Sequence, residues 1–264
     1  MTDFIILLSM NLYHRIRKLI GKAIFGFELI QKGDTLLIAL SGGEDSLVVT
    51  HFLSEWRYYY NTELNLYAIH LDMGFPKEER AYEEGVKYLE KFCEERGIKF
   101  LFDKIPAGKL AIEADSTKET SPCFICSWNR RKYLFNLAEK LKISKIVFGH
   151  HQDDVITTFF LNVFYCGEIS TILPIQSMFK GTLYLIRPLY FVPKEMISRF
   201  VSQRGWPILP NPCPFSQTTK RAFWNNYLKE NIFALDPILK KNLFSALFNV
   251  NLTYLPQKPK KERN

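Results

Sequence analysis

The short apolar run Thr35–Leu40 ends at Ser41-Gly42-Gly43-Glu44-Asp45-Ser46, and a segment of helical period begins there and continues to Trp56. A strand that turns through two glycines straight into a helix admits few folds. Paired glycines permit a tight turn and close approach of another group to the backbone. The helix start presents unpaired N–H groups and the positive end of the helix dipole, so the junction is an anion site. Ser41 and Ser46 add hydroxyl donors, and Asp45 adds a carboxylate suited to Mg2+ or to fixing the loop. The loop carries no lysine and is therefore not the G-x-x-x-x-G-K-[ST] type.

The rest of the chain repeats this strand-then-helix grammar. Buried strands are predicted at Thr35–Leu40, Leu64–Leu71, Lys99–Ile105, Lys145–Phe148 and Leu183–Ile186. Helices are predicted at Leu12–Ile30, Ser46–Trp56, Glu78–Arg96, Ser127–Leu141 and Asp153–Tyr165. Such alternation implies an α/β protein with a Rossmann-like parallel sheet of about five strands and helices on both faces. After Pro193 the pattern turns helical apart from the proline-rich stretch Pro207–Pro214. The expected organisation is an N-terminal helical segment at 1–31, a nucleotide domain at 32–191, a helical C-terminal region at 192–255 and a basic tail at 256–264.

The net charge of +8 and isoelectric point near 9.1 favour polyanionic partners. Near the start, the longest apolar run is Phe4–Leu8, far short of the ~18–20 residues of a membrane span. No basic region precedes it and no small-residue cleavage site follows it, so the expectation is a soluble cytoplasmic protein without membrane contact. Five cysteines, an odd number, argue against a disulfide framework. Cys123 and Cys126 form a C-x-x-C, whereas Cys93 and Cys166 stand alone in helical patterns and read as core.

Taken in order, the Ser41–Ser46 loop, Cys123-Phe124-Ile125-Cys126 with Arg130 and Arg131, Gly149-His150-His151-Gln152-Asp153-Asp154, Arg187-Pro188-Leu189 and Pro212-Cys213-Pro214 resemble one group of proteins. The loop alone resembles the pyrophosphate loop of the N-type ATP pyrophosphatases. The full set resembles the tRNA 2-thiocytidine synthetase family, over about Leu12 to Thr219. No extra cysteine pairs occur at either end, which separates the chain from the zinc-bearing 2-thiouridine branch.

The resemblance implies ATP as co-substrate, with Ser41, Gly42, Gly43, Asp45, Ser46, Asp72, Gly149 and His150 binding the nucleotide. It implies adenylation of a tRNA cytidine at O2, at anticodon-loop position 32, with release of pyrophosphate. Sulfur transfer to C2 with loss of AMP then gives 2-thiocytidine. Asp45, Asp154 and Arg130 are the expected catalytic residues, and Mg2+ the expected electrostatic partner. Two thiolates in a C-x-x-C grip one metal or one cluster edge, and Cys213 adds a third if the fold brings it near. Three thiolates on a 4Fe-4S cluster leave one iron without a protein ligand, and fewer than four cysteines point to chemistry rather than electron storage. A structural zinc and inert thiols are the alternative readings of the same residues. Expected partners are tRNA, ATP and a sulfur donor, either sulfide from a cysteine desulfurase or free sulfide, with a homodimer as a further option.

Two departures matter. The family usually has SGGKDS, and Glu44 occupies the lysine position here, placing a carboxylate near a triphosphate. The second cysteine of a C-x-x-C around Cys213 is also missing. For RNA, the basic candidates are Arg15, Arg17 and Lys18 on the first helix (flanked by His14 and Lys22), Arg131, Arg187, and Lys220 with Arg221 beside Phe223, Trp224 and Tyr227. Competing functions are another ATP pyrophosphatase, such as a 2-thiouridine or lysidine-type enzyme, and a non-catalytic RNA-binding or Fe–S carrier protein.

Overall fold

The computed structural model describes residues 2–60, 63–117 and 120–256, with side chains from Asn11 onward. Apart from Pro256, the expected basic tail lies outside these residues. In chain order the elements are α1 (Thr2–Gly26), β1 (Thr35–Ala39), α2 (Glu44–Tyr59), β2 (Asn65–Asp72), α3 (Glu79–Glu94), β3 (Lys99–Lys104), α4 (Ala107–Thr117), α5 (Pro122–Lys140), β4 (Lys145–Val147), α6 (Gln152–Cys166), β5 (Ile175–Met178), β6 (Leu183–Ile186), α7 (Lys194–Arg204), α8 (Lys220–Tyr227) and α9 (Pro237–Ala246). The strands form one sheet in the order β3-β2-β1-β4-β6-β5, parallel except for the β5–β6 pair.

Successive side chains of a strand face opposite sides of the sheet, and β1 shows the consequence. Leu36 and Ile38 join a core with α1, α2, α3 and α7, while Leu37 joins a second core with Ile146, Leu134 and Ala138. All three β1 residues are fully buried, so a continuous apolar run is what a centrally placed parallel strand requires. The chain moves outward from β1 through β2 to β3, then returns to lay β4 on the other side of β1. The crevice beyond the carboxyl ends of β1 and β4 is therefore the topological switch point, where open α/β sheets bind ligands.

The expected helical segments at both ends share the main core. Ile16 and Ile20 of α1, Phe200 of α7, Leu228 and Phe244 all belong to one cluster with the β1 face. Two elements were not foreseen. The sheet has six strands rather than about five, because the edge strand β5, Ile-Gln-Ser-Met, is too short and too polar to stand out. Helix α4 begins where Gly108 lets the chain press against Phe75, and its sequence Ala-Gly-Lys-Leu-Ala-Ile-Glu-Ala-Asp-Ser-Thr carries only a broken apolar stripe. Cys93 is buried as expected, but Cys166 is exposed, which corrects its reading as core. It ends α6, just before Gly167 turns left-handed at φ 65°. No helix among the described residues is long and apolar enough to cross a membrane.

His51 of α2 supplies a pH prediction. Its ring packs against Phe200 and Trp206 at 5.8 and 5.2 Å, and neither ring nitrogen has a hydrogen-bond partner among the described residues. Burial, with Arg96 and Arg204 nearby, pushes its pKa down to about 3. The facing Glu55 carboxylate, 3.6 Å from Nε2, is held by the Tyr13 hydroxyl at 2.7 Å. The unfolded chain takes up this proton near pH 6.5 and the folded chain does not. The neutral ring's contribution is complete above that pH and falls by about 1.4 kcal/mol per unit as the pH drops toward the folded value. Urea unfolding at pH 7.5 and pH 5 should show the wild type losing about 2 kcal/mol more than His51→Leu between the two conditions; equal losses would contradict the assignment.

Candidate functional site for nucleotide and thiols

Gly43 caps α2 without a side-chain bond of its own, so the loop fixes itself through Ser46. The Ser46 hydroxyl accepts from the Gly42 N–H at 3.1 Å and donates to the Gly43 carbonyl at 2.8 Å, while the Ser41 hydroxyl lies 3.2 Å from it. Gly42 sits at φ 83°, where an L side chain is strained. A Cβ there would also lie 2.6 Å from Leu209 Cβ. Leu209 fills a notch between Gly42, Leu89 and Gly85 of α3, and its N–H donates to the Gly42 carbonyl at 3.1 Å. The proline-rich strap that leads to Cys213 is thus fastened to the loop.

The β4–α6 connection forms the other wall. A Cβ on Gly149 would lie 3.0 Å from the Asp45 backbone, so the glycine sets how closely the two connections approach. His151 caps α6 in a reciprocal pair with Asp154, whose Oδ2 accepts the His151 N–H at 3.1 Å. The buried His151 ring faces Asp45, Asp153 and Asp154 at 3.7, 3.7 and 3.3 Å. These carboxylates outweigh burial and raise its pKa. Asp154 also faces the Arg221 guanidinium at 3.5 Å, and Arg221 donates to Thr158 at 3.0 Å. Asp154 therefore fixes the geometry of this wall.

Arg187 must be corrected as an RNA contact. It is 4% exposed, and its guanidinium donates to the Leu173 carbonyl at 2.5 Å, Gln176 at 3.2 Å and His150 Nδ1 at 3.3 Å. Arginine has no acceptor, so His150 Nδ1 must accept and the neutral ring carries its proton on Nε2. Burial first, then the charges of Arg187, Arg221 and Arg130, hold the His150 pKa down at about 4. His150 thus offers an Nε2–H donor at neutral pH. Asp72 is likewise redirected from nucleotide contact to a clamp at the end of β2. Both its oxygens accept from Lys77 at 2.8 Å, and one also takes the Gly74 N–H at 2.8 Å. Those bonds hold its pKa low against the opposing effect of burial.

No motif singles out Lys194, the first residue of α7. Its ammonium lies 2.6 Å from Asp45 Oδ1 and 3.0 Å from Glu44 Oε2. Ser198 donates to the same Glu44 oxygen at 2.6 Å. These partners hold the Glu44 pKa below the usual carboxylate range despite burial, and the two carboxylates raise that of Lys194. The loop carboxylate that looked hostile to phosphate is neutralised from α7.

Helix α5 starts one turn earlier than expected, because Pro122 sits in its first turn, where a missing N–H costs nothing. Cys123 and Cys126 therefore occupy its N-terminal end, three residues apart and on one face. Burial raises the pKa of both thiols, and the nearby Cys213 raises each further. Cys213 is thus a neighbour of the pair although it lies 87 residues beyond Cys126 in sequence. Arg130, one turn beyond Cys126, counters that repulsion. Among the described residues, no three Cys, His, Asp or Glu side chains close around a single ion-sized point.

Of the RNA candidates, Arg221 reaches the site through Asp154. Lys220 lies 4.0 Å over the Tyr165 ring, beside Trp224 stacked on Phe164 at 4.8 Å. Phe164, Tyr165, Phe223 and Tyr227 are all exposed, and a cavity of about 440 Å³ opens against Phe223 and Tyr227. Arg131 is exposed on α5. Arg15, Arg17 and Lys18 do not converge here: Arg17 packs over Tyr59, 15 residues along α2 from Glu44 and so about 22 Å away.

Comparison with known proteins agrees with this geometry. The PP-loop domain family matches residues 8–232. The tRNA-cytidine(32) 2-sulfurtransferase of Geotalea uraniireducens (strain Rf4) is 32% identical over 259 residues, covering 94% of this chain and 96% of the relative. That of Enterobacter sp. (strain 638) is 33% identical over 252 residues, covering 93% and 76%. Among solved structures, the U34-tRNA thiolase NcsA from Methanococcus maripaludis with its [4Fe-4S] cluster superposes with a TM-score of 0.72 at 22% identity, covering 96% of this chain and 82% of that one, which shows a shared fold. A strand, a self-bonded glycine turn and a helix at the switch point, in a chain so related, identify it: this protein belongs to the PP-loop domain family, alongside the tRNA-cytidine(32) 2-sulfurtransferases.

Proposed function

We propose that the chain is an ATP-dependent tRNA sulfurtransferase that converts a tRNA cytidine, at position 32 of the anticodon loop, to 2-thiocytidine. The observation that carries this reading is the bond from Leu209 to Gly42, which ties the strap bearing Cys213 to the nucleotide loop. ATP activation and sulfur delivery are thereby held in one crevice. The relatives named above act on a cytidine, which favours this product over 2-thiouridine or lysidine chemistry.

The thiols fit an iron–sulfur cluster better than a single zinc. A zinc draws its thiolates to about 2.3 Å from one point, whereas a cubane binds each cysteine through a different iron and keeps the sulfurs apart. Cys213 lies close enough to raise the pKa of both Cys123 and Cys126, yet among the described residues the three thiols do not close on one ion-sized point, and that suits the second arrangement. Cys123, Cys126 and Cys213 would hold the 4Fe-4S cluster, which would supply the sulfur-carrying chemistry of the second step. Mg2+ would be held by Asp45, whose side chain is one-third exposed at the loop. The sulfur donor, desulfurase-derived or free sulfide, and a homodimeric assembly belong to the same proposal.

The chain's own residues then divide the work. The Ser41–Ser46 turn cradles the phosphates, and Gly149 sets the width of the crevice. His150 Nε2–H donates a hydrogen bond toward the negative charge that builds up as the base oxygen attacks the α-phosphate, and Arg187 keeps the ring in that tautomer. Arg130, whose charge acts on both Cys126 and His150, offsets negative charge on the thiol and the nucleotide sides. Positioning and charge stabilisation of this kind supply most of the rate in phosphoryl-type transfers.

Single-stranded loop RNA is held by cations and by stacking of extruded bases, each stack being worth ~1–3 kcal/mol. Lys220 with Phe223 and Tyr227 provides both beside the crevice. Phe223→Ala should raise the KM for tRNA about tenfold with kcat nearly unchanged, and Lys220→Ala should flatten the dependence of KM on salt. A kcat loss at constant KM would move these residues out of RNA binding. The proposal itself is tested by nucleoside mass spectrometry of bulk tRNA from a strain lacking the gene. Loss of 2-thiocytidine alone is expected; an unchanged profile, or loss of a thiouridine instead, would overturn it.

A further inference from the structure

We infer that Lys194 is a phosphate-contacting residue of the nucleotide site, and that Glu44 and Lys194 form an ion pair whose cation works from α7 instead of from the loop. The inference rests on reading the Ser41–Ser46 turn as the ATP cradle. Glu44 and Asp45 are the first two residues of α2, where the helix offers its N–H groups to an anion. Left alone, two carboxylates there would cancel that attraction. The ammonium of Lys194 spans both, at 3.0 and 2.6 Å. An ammonium has three N–H donors; two are taken by these carboxylates, and the side chain is 36% exposed, which leaves the third for a further acceptor.

The lysine is placed by more than the ion pair. Its backbone N–H donates to Asp153 Oδ2 at 2.8 Å, which seats the start of α7 against the start of α6. Ser198, one turn on, donates at 2.6 Å to the same Glu44 oxygen that faces the ammonium and so fixes the carboxylate in place. Glu44 is thus a tether that holds the ammonium at the cradle, and the pair is neutral whichever partner carries the positive charge. The SGGKDS form of the loop would put the cation on the loop itself. In this chain the loop holds the anion and the neighbouring helix holds the cation.

Titration calorimetry of the full chain with ATP and with inorganic pyrophosphate, alongside thermal melts, tests this. Lys194→Ala should weaken ATP and pyrophosphate binding at least tenfold with a small change in Tm, and Lys194→Glu should weaken both further. The double exchange Glu44→Lys with Lys194→Glu should return ATP affinity to within about threefold of wild type, following the Coulombic logic of a reversed pair. Two results would overturn the inference: ATP affinity in Lys194→Ala within twofold of wild type, or a double exchange that restores Tm without restoring ATP affinity. If the wild-type chain binds neither ligand, the reading of the loop fails and the inference with it; wild-type binding with unaffected variants removes the inference alone.

Discussion

Cys213→Ser is expected to abolish iron retention and reduce tRNA thiolation by more than about 100-fold while leaving ATP affinity within twofold of wild type. The reason is geometric. Cys213 sits four residues beyond Leu209, and Leu209 is held by backbone hydrogen bond and side-chain notch independently of the thiol. Serine preserves the bond from the Cys213 N–H to Asn211 Oδ1 at 3.1 Å, so the strap keeps its path and the loop its anchor. What disappears is one of three soft ligands, and a hydroxyl is a poor substitute for thiolate on iron. Cys166→Ser is the matched control: that thiol is exposed at the end of α6 and outside the trio, and its loss should leave iron content and activity unchanged. Absorption spectra and iron assays on anaerobically purified protein read the first effect, and calorimetry with ATP reads the second. Full thiolation by Cys213→Ser would remove the three-ligand site.

Gly42→Ala is expected to disable both halves of the site at once. The added methyl meets a backbone conformation at φ 83°, costing about 1–2 kcal/mol. It also collides with Leu209 at 2.6 Å and Leu89 at 3.2 Å, and overpacking of that kind costs about 1–3 kcal/mol. Relief requires Leu209 to leave its notch, which drags the Cys213 strap from the loop. The result should be a lower Tm, ATP affinity reduced more than tenfold, and loss of iron. Gly43→Ala provides the contrast, since Gly43 has φ −80° and the nearest obstacle to a Cβ is Ser41 Oγ at 3.6 Å. Its stability should change by less than about 1 kcal/mol. Equal behaviour of the two alanines would show that the loop and strap are not coupled.

Much of the fold was legible because its signals are local. Strands β1, β2, β3, β4 and β6 are apolar runs bounded by turns, and the glycine turn marks where β1 becomes α2. The edge strand β5 and helix α4 escaped because their stabilisation comes from tertiary neighbours rather than from periodicity. The site divides in the same way. Motif residues that act through backbone geometry, such as Gly42, Gly43 and Gly149, sit where the motifs place them. Charged residues were harder, since an arginine in a motif reads the same whether it faces solvent or a carbonyl; only the fold shows that Arg187 is buried against His150 and that Asp72 is spent on Lys77. Lys194, Leu209 and Gly85 had no signal at all. Each matters through a partner more than 100 residues away or on a different helix, and spacing along the chain does not encode such pairing.

The most direct test of ATP-driven sulfur transfer in this crevice is the stoichiometry of products in one anaerobic reaction of the reconstituted full chain with ATP, sulfide and unmodified tRNA. One AMP and one pyrophosphate should form for each 2-thiocytidine, with no AMP above background when tRNA is left out. ATP cleavage at the same rate with no thiolated cytidine in the tRNA would contradict it.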